Sequence, residues 1–227
     1  MRFVISGGAP LDPKIQKGFI DLGINVAQGY GLTETSPVIA AENMYKSRTG
    51  SIGVPMENVT VEIVNKDDNG IGELRAKGPN VMLGYYENDE ETNKVLKDGW
   101  FYTGDLGYRN EDGLLFYSSR LKRMIITNGY NVYPIELEEI ISKCECVSSC
   151  TVVGIPHKTK GQTPKAVIVL KDGYEDTLET KAKVRAYCKE HLAAYAVPSE
   201  IEYRKSVPVT AIGKVAYREL EKKHKKK

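Results

Sequence analysis

The succession "RFVISGGAP", "LDPKIQKGFIDLG" and "INVAQGYG" constrains the fold of this chain more than any other feature. A short apolar run breaks on glycines, a segment with apolar residues at helical spacing follows, and a second apolar run ends in a glycine turn. Strand, helix and strand in that order are the pattern of a parallel βαβ unit. From about Gly50 the texture changes to short alternating segments, "VTVEIV", "GELRAKG", "WFYTGDLGYR" and "GLLFYSS", separated by Asp, Asn and Gly turns. That alternation predicts a small all-β barrel or sandwich. After Arg120 strands and helices mix again. The strand-like "MIITNGYNVYP" and the helix "PIELEEIISKC", with proline in its first turn, precede the strands "CTVVGI" and "KAVIVL". The helix "TKAKVRAYCKEHL" and the strand "EIEYRKS" follow. Three parts are expected: 1–49 as an αβ subdomain, 50–119 as a small β subdomain, and 120–227 as an α+β domain with its own core.

Composition narrows the function classes. The chain has 227 residues, 41% hydrophobic and 27% charged, enough for one or two packed domains. Its formal +2 arises partly from the final "KKHKKK", so the charge gives no argument for a nucleic-acid face. No run of roughly eighteen apolar residues is present, and "MRFVISGGAPLDP" lacks a signal-peptide pattern, so a cytoplasmic protein is expected. The four cysteines, Cys144, Cys146, Cys150 and Cys188, are too few and too clustered for a disulfide framework. "CECVSSC" lacks the second Cys or His pair of a zinc site and reads as packing thiols in a reducing compartment.

Several short stretches carry chemistry. In "VPVTAIGKVAYREL" Lys214 follows a glycine in a loop edged by Pro208 and Thr210. Alone, this is either a faint phosphate-loop echo or a solvated charge. In "QGYGLTET" the glycines allow close backbone approach, the Thr33 hydroxyl is a donor, and Glu34 offers oxygen to a cation. The same residues also suit a glycine turn with a helix cap. "TGDLG" predicts Asp105 in a tight turn between strands, placed either to accept two hydroxyls or to close an Asx turn.

Taken together, "SGGAPL", "QGYGLTET", "GELRAKGPNVMLGYY", "GWFYTGDLG", "SRLKRMIITNGYNVYPIELE" and "PVTAIGKVAYREL" resemble, in order and spacing, the later core motifs of the AMP-forming acyl-CoA synthetases of the adenylate-forming superfamily. The resemblance covers nearly the whole chain. It implies a fold that is α/β and then α+β: the remnant of a large N-terminal domain, built of the βαβ unit and a small β-barrel subdomain, followed by a small mobile α+β C-terminal domain. It also shows what is missing, because that family carries several hundred residues upstream, including a Ser/Thr/Gly-rich phosphate loop ending in Lys. The chain therefore resembles the C-terminal part of such an enzyme.

The resemblance also implies roles. Gly7, Gly8 and Ala9 of the "SGGAP" turn and Gln28, Gly29, Tyr30 and Gly31 border the adenine, with Tyr30 stacking on it. Thr33 donates to the α-phosphate and Glu34 holds Mg²⁺. Asp105 is the ribose ligand, and Arg120 contacts ribose or phosphate. Lys122 is the pivot of the smaller domain. Lys214 is the catalytic lysine of adenylation, approached through Gly213. In the thioester step Gly129 lines a tunnel for the pantetheine arm of coenzyme A and Asn131 faces the nucleotide side. The chain departs from the family at Ser119, where Gly or Asp is usual, and at Arg123, where an acidic residue is usual. The implied activity is ATP-dependent ligation of a carboxylate, a fatty acid first and an aryl acid next, to coenzyme A with release of AMP and pyrophosphate. An adenylation domain loading a carrier protein and a non-catalytic AMP-binding remnant are the alternatives.

Overall fold

The computed structural model describes residues 4–9, 11–43, 47–210 and 215–222. The chain divides into two compact units, Met1–Leu121 and Lys122–Lys227.

The first unit opens with the expected crossover. Strand β1 (Val4–Gly7), helix α1 (Pro13–Asp21) and strand β2 (Val26–Gly31) follow one another, and β1 pairs with β2 in parallel, Val4 opposite Val26 and Gly7 opposite Gly29. Asp12 caps α1 by accepting from the Lys14 amide, and Pro13 occupies the first turn, where it lacks no needed donor. A 3-10 turn (Thr33–Thr35) leads to β3 (Val38–Ala41), which runs antiparallel to β2, and then to β4 (Val54–Pro55). Between β2 and the returning chain, a Cβ on Gly31 would lie 1.8 Å from the Pro37 carbonyl oxygen, so glycine there serves the chain's own close approach.

The segment after Gly50 is an antiparallel sheet. Strands β5 (Thr60–Val64), β6 (Gly72–Lys77), β7 (Leu96–Lys97), β8 (Trp100–Arg109) and β9 (Leu115–Arg120) are ordered β5-β6-β8, with β7 and β9 sharing the far edge of β8. Helix α2 (Asp89–Val95), which the sequence analysis did not separate from its loop, is capped by the Asn88 side chain. The ladders do not join β5 to β9; the far edge of β9 bonds the 52–53 segment ahead of β4, where Gly53 bridges Leu115. Ile39, Ala40, Ile52, Val61, Leu74, Ala76 and Leu115 form a buried core that draws on both sheets of this unit. Outside it, Ile5, Ile15, Phe19, Ile20 and Leu22 leave an exposed apolar face on β1 and α1.

In the second unit β10 (Ile125–Thr127) and β11 (Tyr130–Val132) form a hairpin, and α3 (Pro134–Ile141) precedes the long hairpin β12 (Val147–His157) and β13 (Gly161–Leu170). Helix α4 (Leu178–His191), strand β14 (Glu200–Tyr203) and helix α5 (Tyr217–Lys222) complete it, with β14 parallel to β13. One face of this sheet packs Val152, Ala166 and Ile168 against Leu137 and Ile141 of α3 and Val184 and Cys188 of α4. The opposite face packs Val153, Ile155 and Val167 against Leu220 of α5. The four cysteines are free thiols, and Cys144, Cys146 and Cys188 belong to the first of these cores. Among the described residues no group of three or more His, Cys, Asp or Glu side chains is arranged to hold a metal, and no helix is long and apolar enough to cross a membrane.

Charged groups border both faces of this sheet. Lys165, 3% exposed, donates to Glu200 and Glu202 of β14 at 2.8 Å each. Burial works against Glu202, but hydrogen bonds from Arg204 and Lys165 outweigh it and bring its pKa down to about 2. Glu138 of α3 accepts from the Val152 amide at 2.8 Å, and burial, only partly offset by that bond and by Arg123, pushes its pKa up to about 7.

A folded pKa above the unfolded value means that the native state holds the Glu138 proton more tightly than the unfolded chain does. Its stabilising effect is complete below about pH 4.5 and disappears as pH rises through about 7. Glu138→Gln keeps an acceptor for Val152 and removes the charge. It is expected to match the wild type near pH 5 and to exceed it at pH 8 by up to about 3 kcal/mol. Urea unfolding at the two pH values measures this, and equal wild-type and variant stability at pH 8 would count against it.

Candidate functional site

The glycine turn after β1 and the 3-10 turn after β2 extend from strands of one sheet, and Asp105 joins that sheet to the second. Asp105 is 2% exposed. Its Oδ2 accepts from the Tyr30 hydroxyl at 2.8 Å and its Oδ1 faces Arg120 Nε at 3.1 Å. Contrary to expectation, Asp105 does not sit in a tight turn between strands. It lies inside β8, directly opposite Arg120 of β9. The turn-like signature has a local cause. Between the pairs Glu73–Leu106 and Arg75–Tyr102, Leu74 faces the extra residues Thr103, Gly104 and Asp105, so β8 bulges. Gly104 takes φ +69°, the Thr103 hydroxyl bonds the Leu74 carbonyl at 2.7 Å, and the Asp105 amide donates to the Thr103 hydroxyl at 3.1 Å. The bulge re-aims the Asp105 carboxylate toward β2.

Burial and the neighbouring Asp105 carboxylate both raise the Tyr30 pKa well above its ordinary value, so its hydroxyl stays a donor. The Tyr30 ring meets Tyr117 at a tilted 6.5 Å. Beside it, Gly7 and Gly29 pair across β1 and β2, and among the described residues the only atom close to where their Cβ atoms would stand is the Gly29 carbonyl oxygen, 3.3 Å from the Gly7 position. Gly8, at φ +82°, turns the chain out of β1, and Gly7, Gly8 and Ala9 are exposed. This is bare backbone at a strand end, the kind of surface a planar group can approach.

Thr33 is exposed on the 3-10 turn. Next to it the Glu34 Oε1 accepts from the Tyr85 hydroxyl at 2.9 Å, and the Glu34 carbonyl accepts from the Met82 amide at 2.8 Å. The "GYY" turn therefore holds Glu34 in place. One carboxylate beside a hydroxyl and open solvent suits a cation that keeps most of its water and takes its other ligands from a phosphate chain.

Residues 1–86 match the AMP-binding enzyme family and residues 136–214 match the AMP-binding enzyme C-terminal domain. The chain belongs to the AMP-binding enzyme family. It is 39% identical over 228 aligned positions to a long-chain-fatty-acid–CoA ligase of Bacillus subtilis, covering 97% of this chain and 40% of that protein. It superposes on ATP-bound MatB from Rhodopseudomonas palustris with a TM-score of 0.88 and 31% identity, over 98% of this chain and 45% of that one. On o-succinylbenzoate-CoA synthetase of Bacillus subtilis, in complex with its acyl-adenylate intermediate, the TM-score is 0.85 at 30% identity, over 97% of this chain and 46% of that one. The chain thus spans less than half the length of these relatives and corresponds to their C-terminal part.

Within this family frame the structure places the expected residues unevenly. Asp105 contacts both Tyr30 and Arg120; Gly7, Gly29 and Gly31 lie in the same sheet as Tyr30, Gly8 and Ala9 follow β1, and Thr33 and Glu34 stand in the 3-10 turn after β2. The Gln28 side chain is turned inward. It is 6% exposed and is occupied inside the protein, accepting from the Leu11 amide and donating to the Gln16 side chain and the Ser51 carbonyl. Lys122 is exposed in a 3-10 turn (Leu121–Arg123) and opens the second unit. Arg123, a departure from the family pattern, lays its guanidinium over the Tyr217 ring at 3.3 Å. Gly129 and Asn131 stand on the β10–β11 hairpin, whose two-residue turn has φ of +51° at Asn128 and +83° at Gly129. Tyr130 stacks on Tyr195 at 4.4 Å. Gly213 and Lys214 lie outside the described residues. On either side of them Val209 bridges Val215, and the Ala216 amide donates to the Pro208 carbonyl at 2.8 Å.

Sequence reasoning did not single out Glu42, Gln16, Ser51 or Tyr85. Tyr85 sits in a quoted motif, but nothing local marks it as a partner of a residue 51 positions away. The Tyr30–Asp105 bond yields a direct prediction. Tyr30→Phe leaves a buried carboxylate oxygen short of a donor and is expected to lower the stability of the first unit by about 1–3 kcal/mol. Denaturant unfolding measures this. Unchanged stability would mean that Asp105 is satisfied without Tyr30.

Proposed function

We propose that this chain supplies the AMP half of an adenylate site and the mobile lysine domain of an ATP-dependent acyl-CoA ligase, with a fatty acid as the acyl substrate. The observation that carries the reading is Asp105, a carboxylate set between Tyr30 and Arg120 beside bare strand-end backbone. A ribose has two adjacent hydroxyls, and an acceptor-only carboxylate is their natural partner. Arg120, with a side chain 54% exposed, is free to move toward a sugar or phosphate while Tyr30 keeps its hold on Asp105. The fatty-acyl preference is supported by the naming of the Bacillus subtilis relative. The four free thiols fit a cytoplasmic setting.

In this reading each residue answers an electrostatic need. Carboxylate and ATP are both anions, so their meeting requires charge neutralisation and alignment. Thr33 donates to the α-phosphate and Glu34 offers its carboxylate oxygen to Mg²⁺, which when bound screens the phosphate charge. Lys214 places its ammonium where carboxylate and phosphate oxygens approach. After adenylation the second unit turns about Lys122, withdrawing Lys214 and presenting the Gly129 hairpin for the thiol of coenzyme A. Gly129 lacks a side chain over the path of the pantetheine arm, and Asn131 faces the nucleotide.

The first test is binding. AMP should bind the chain weakly, and Asp105→Ala should weaken that binding by roughly 1–3 kcal/mol. Calorimetry giving equal affinities for both would rule out the ribose role. Without a phosphate loop to grip the β- and γ-phosphates, the chain by itself should release no pyrophosphate from ATP and fatty acid. Release that depended on Lys214 would overturn this.

The half-reactions are tested in the full-length protein that carries this segment. Lys214→Ala should cost adenylation about 3 kcal/mol or more while sparing thioester formation from supplied acyl-AMP. Lys122→Pro, which fixes φ at the pivot, should do the reverse. Single-turnover kinetics separates the steps, and equal losses in both would favour a static site.

A further inference from the structure

A buried hydrogen-bond hub lies directly behind the strand that carries Gln28, Gly29 and Tyr30. Glu42, 6% exposed, follows β3. Its Oε2 accepts from the Gln16 side-chain amide at 3.0 Å and from the Gln28 backbone amide at 2.9 Å. Its Oε1 accepts from the Ser51 hydroxyl at 2.7 Å and from the Arg48 backbone amide at 3.0 Å. The four donors match the lone-pair positions of a carboxylate. Gln16, 1% exposed on the inner face of α1, extends the hub by accepting from the Gly50 amide at 3.1 Å. Gln28 extends it the other way, where its Oε1 accepts from the Leu11 amide at 3.2 Å, just past the glycine turn.

A carboxylate is needed here because every group aimed at this point donates. An amide in its place would turn an NH₂ toward two of those donors, and a shorter chain would not reach α1 and the 48–51 turn together. Of the two backbone amides it accepts from, Gln28 belongs to β2, which carries the site, and Arg48 to the turn before Ser51. A surface hub would contribute little, but buried groups left unpaired are costly enough to shift backbone.

We propose that Glu42 is a positioning residue of the nucleotide site, fixing β2 and the Ser6–Leu11 segment at the spacing adenine requires without touching the ligand. This rests on the nucleotide reading above. Glu42 acts on the adenine side, through Gln28 and Leu11, whereas the ribose side is held by Asp105 in the other sheet. Its loss should therefore separate two ligands that a general loss of folding would weaken together.

The test uses the isotope-labelled chain titrated by NMR with AMP and with ribose 5-phosphate. Glu42→Gln should weaken AMP binding by about tenfold, and Ser51→Ala, which removes one of the four donors, by about threefold. Ribose 5-phosphate binding should stay within about twofold in both. Ile39→Val, a core change chosen to lower thermal stability without reaching the hub, should leave both affinities unchanged. Should Glu42→Gln fail to fold, Ser51→Ala decides. AMP affinity unchanged in the folded variants, or AMP and ribose 5-phosphate weakened equally, would overturn the proposal. A wild-type chain that binds no AMP would overturn the nucleotide reading, and this inference with it.

Discussion

The contact of the Asp105 carboxylate with Tyr30 and Arg120 is the interaction on which the first unit's site depends. Burying a carboxylate is costly unless donors replace its water. Here a hydrogen bond comes from Tyr30 of β2 in the first sheet and an ion pair from Arg120 of β9 in the second. The two sheets share a hydrophobic core, but apolar packing tolerates sliding and a buried carboxylate does not. The bonds to Asp105 therefore fix β2 relative to β8, and with it the bare backbone at Gly29. The bulge of β8 opposite Leu74 makes this possible, because regular pairing would continue the strand without turning the carboxylate toward Tyr30.

The hub around Glu42 completes the arrangement from behind. Tyr30 is held through its hydroxyl on one side of the strand end, and the Gln28 backbone amide is held two residues earlier. A strand pinned at both points has little freedom left to fray, even though it contains two glycines. That explains why Gly29 and Gly31 are tolerated in β2, where glycine ordinarily weakens a strand. Gly31 is required by the closeness of Pro37, and Gly29 leaves open space. The two glycines do opposite things in one strand.

Much of the fold was legible in the sequence because it is written in local periodicity. The crossover β1-α1-β2, the alternating segments of the second sheet and the helices α3 and α4 all carry their apolar pattern within a few residues. What was not legible depends on long-range partners. Nothing local shows that the Gln28 side chain is occupied by Gln16, Ser51 and Leu11, between 12 and 23 residues away. Asp105 reads as a turn residue because Thr-Gly-Asp is turn chemistry, and the bulge uses that chemistry inside a strand. Among the residues proposed for the site, the family resemblance named the glycines and Asp105, while Glu42, Gln16 and Ser51 carry no local mark. A buried carboxylate is identified by its donors, and those converge only in three dimensions.

The second unit solves a different problem with related means. In the proposed reading its lysine must be presented and withdrawn as a body, so the segment that carries it has to be rigid where it joins the domain. The Val209–Val215 bridge and the bond from Ala216 to Pro208 close the chain on either side of that segment. Leu220, 1% exposed, anchors α5 against Val153, Ile155 and Val167, and Tyr217 packs at the edge of the same cluster. Arg123 lies on the Tyr217 ring one residue after Lys122, so its guanidinium belongs mechanically to the unit that Lys122 opens. An acidic side chain at that position would meet the π-face of Tyr217 with the wrong sign of charge and would lie near Glu138, whose pKa is already raised by burial. Arginine at position 123 is therefore matched to tyrosine at 217 and glutamate at 138 within the second unit.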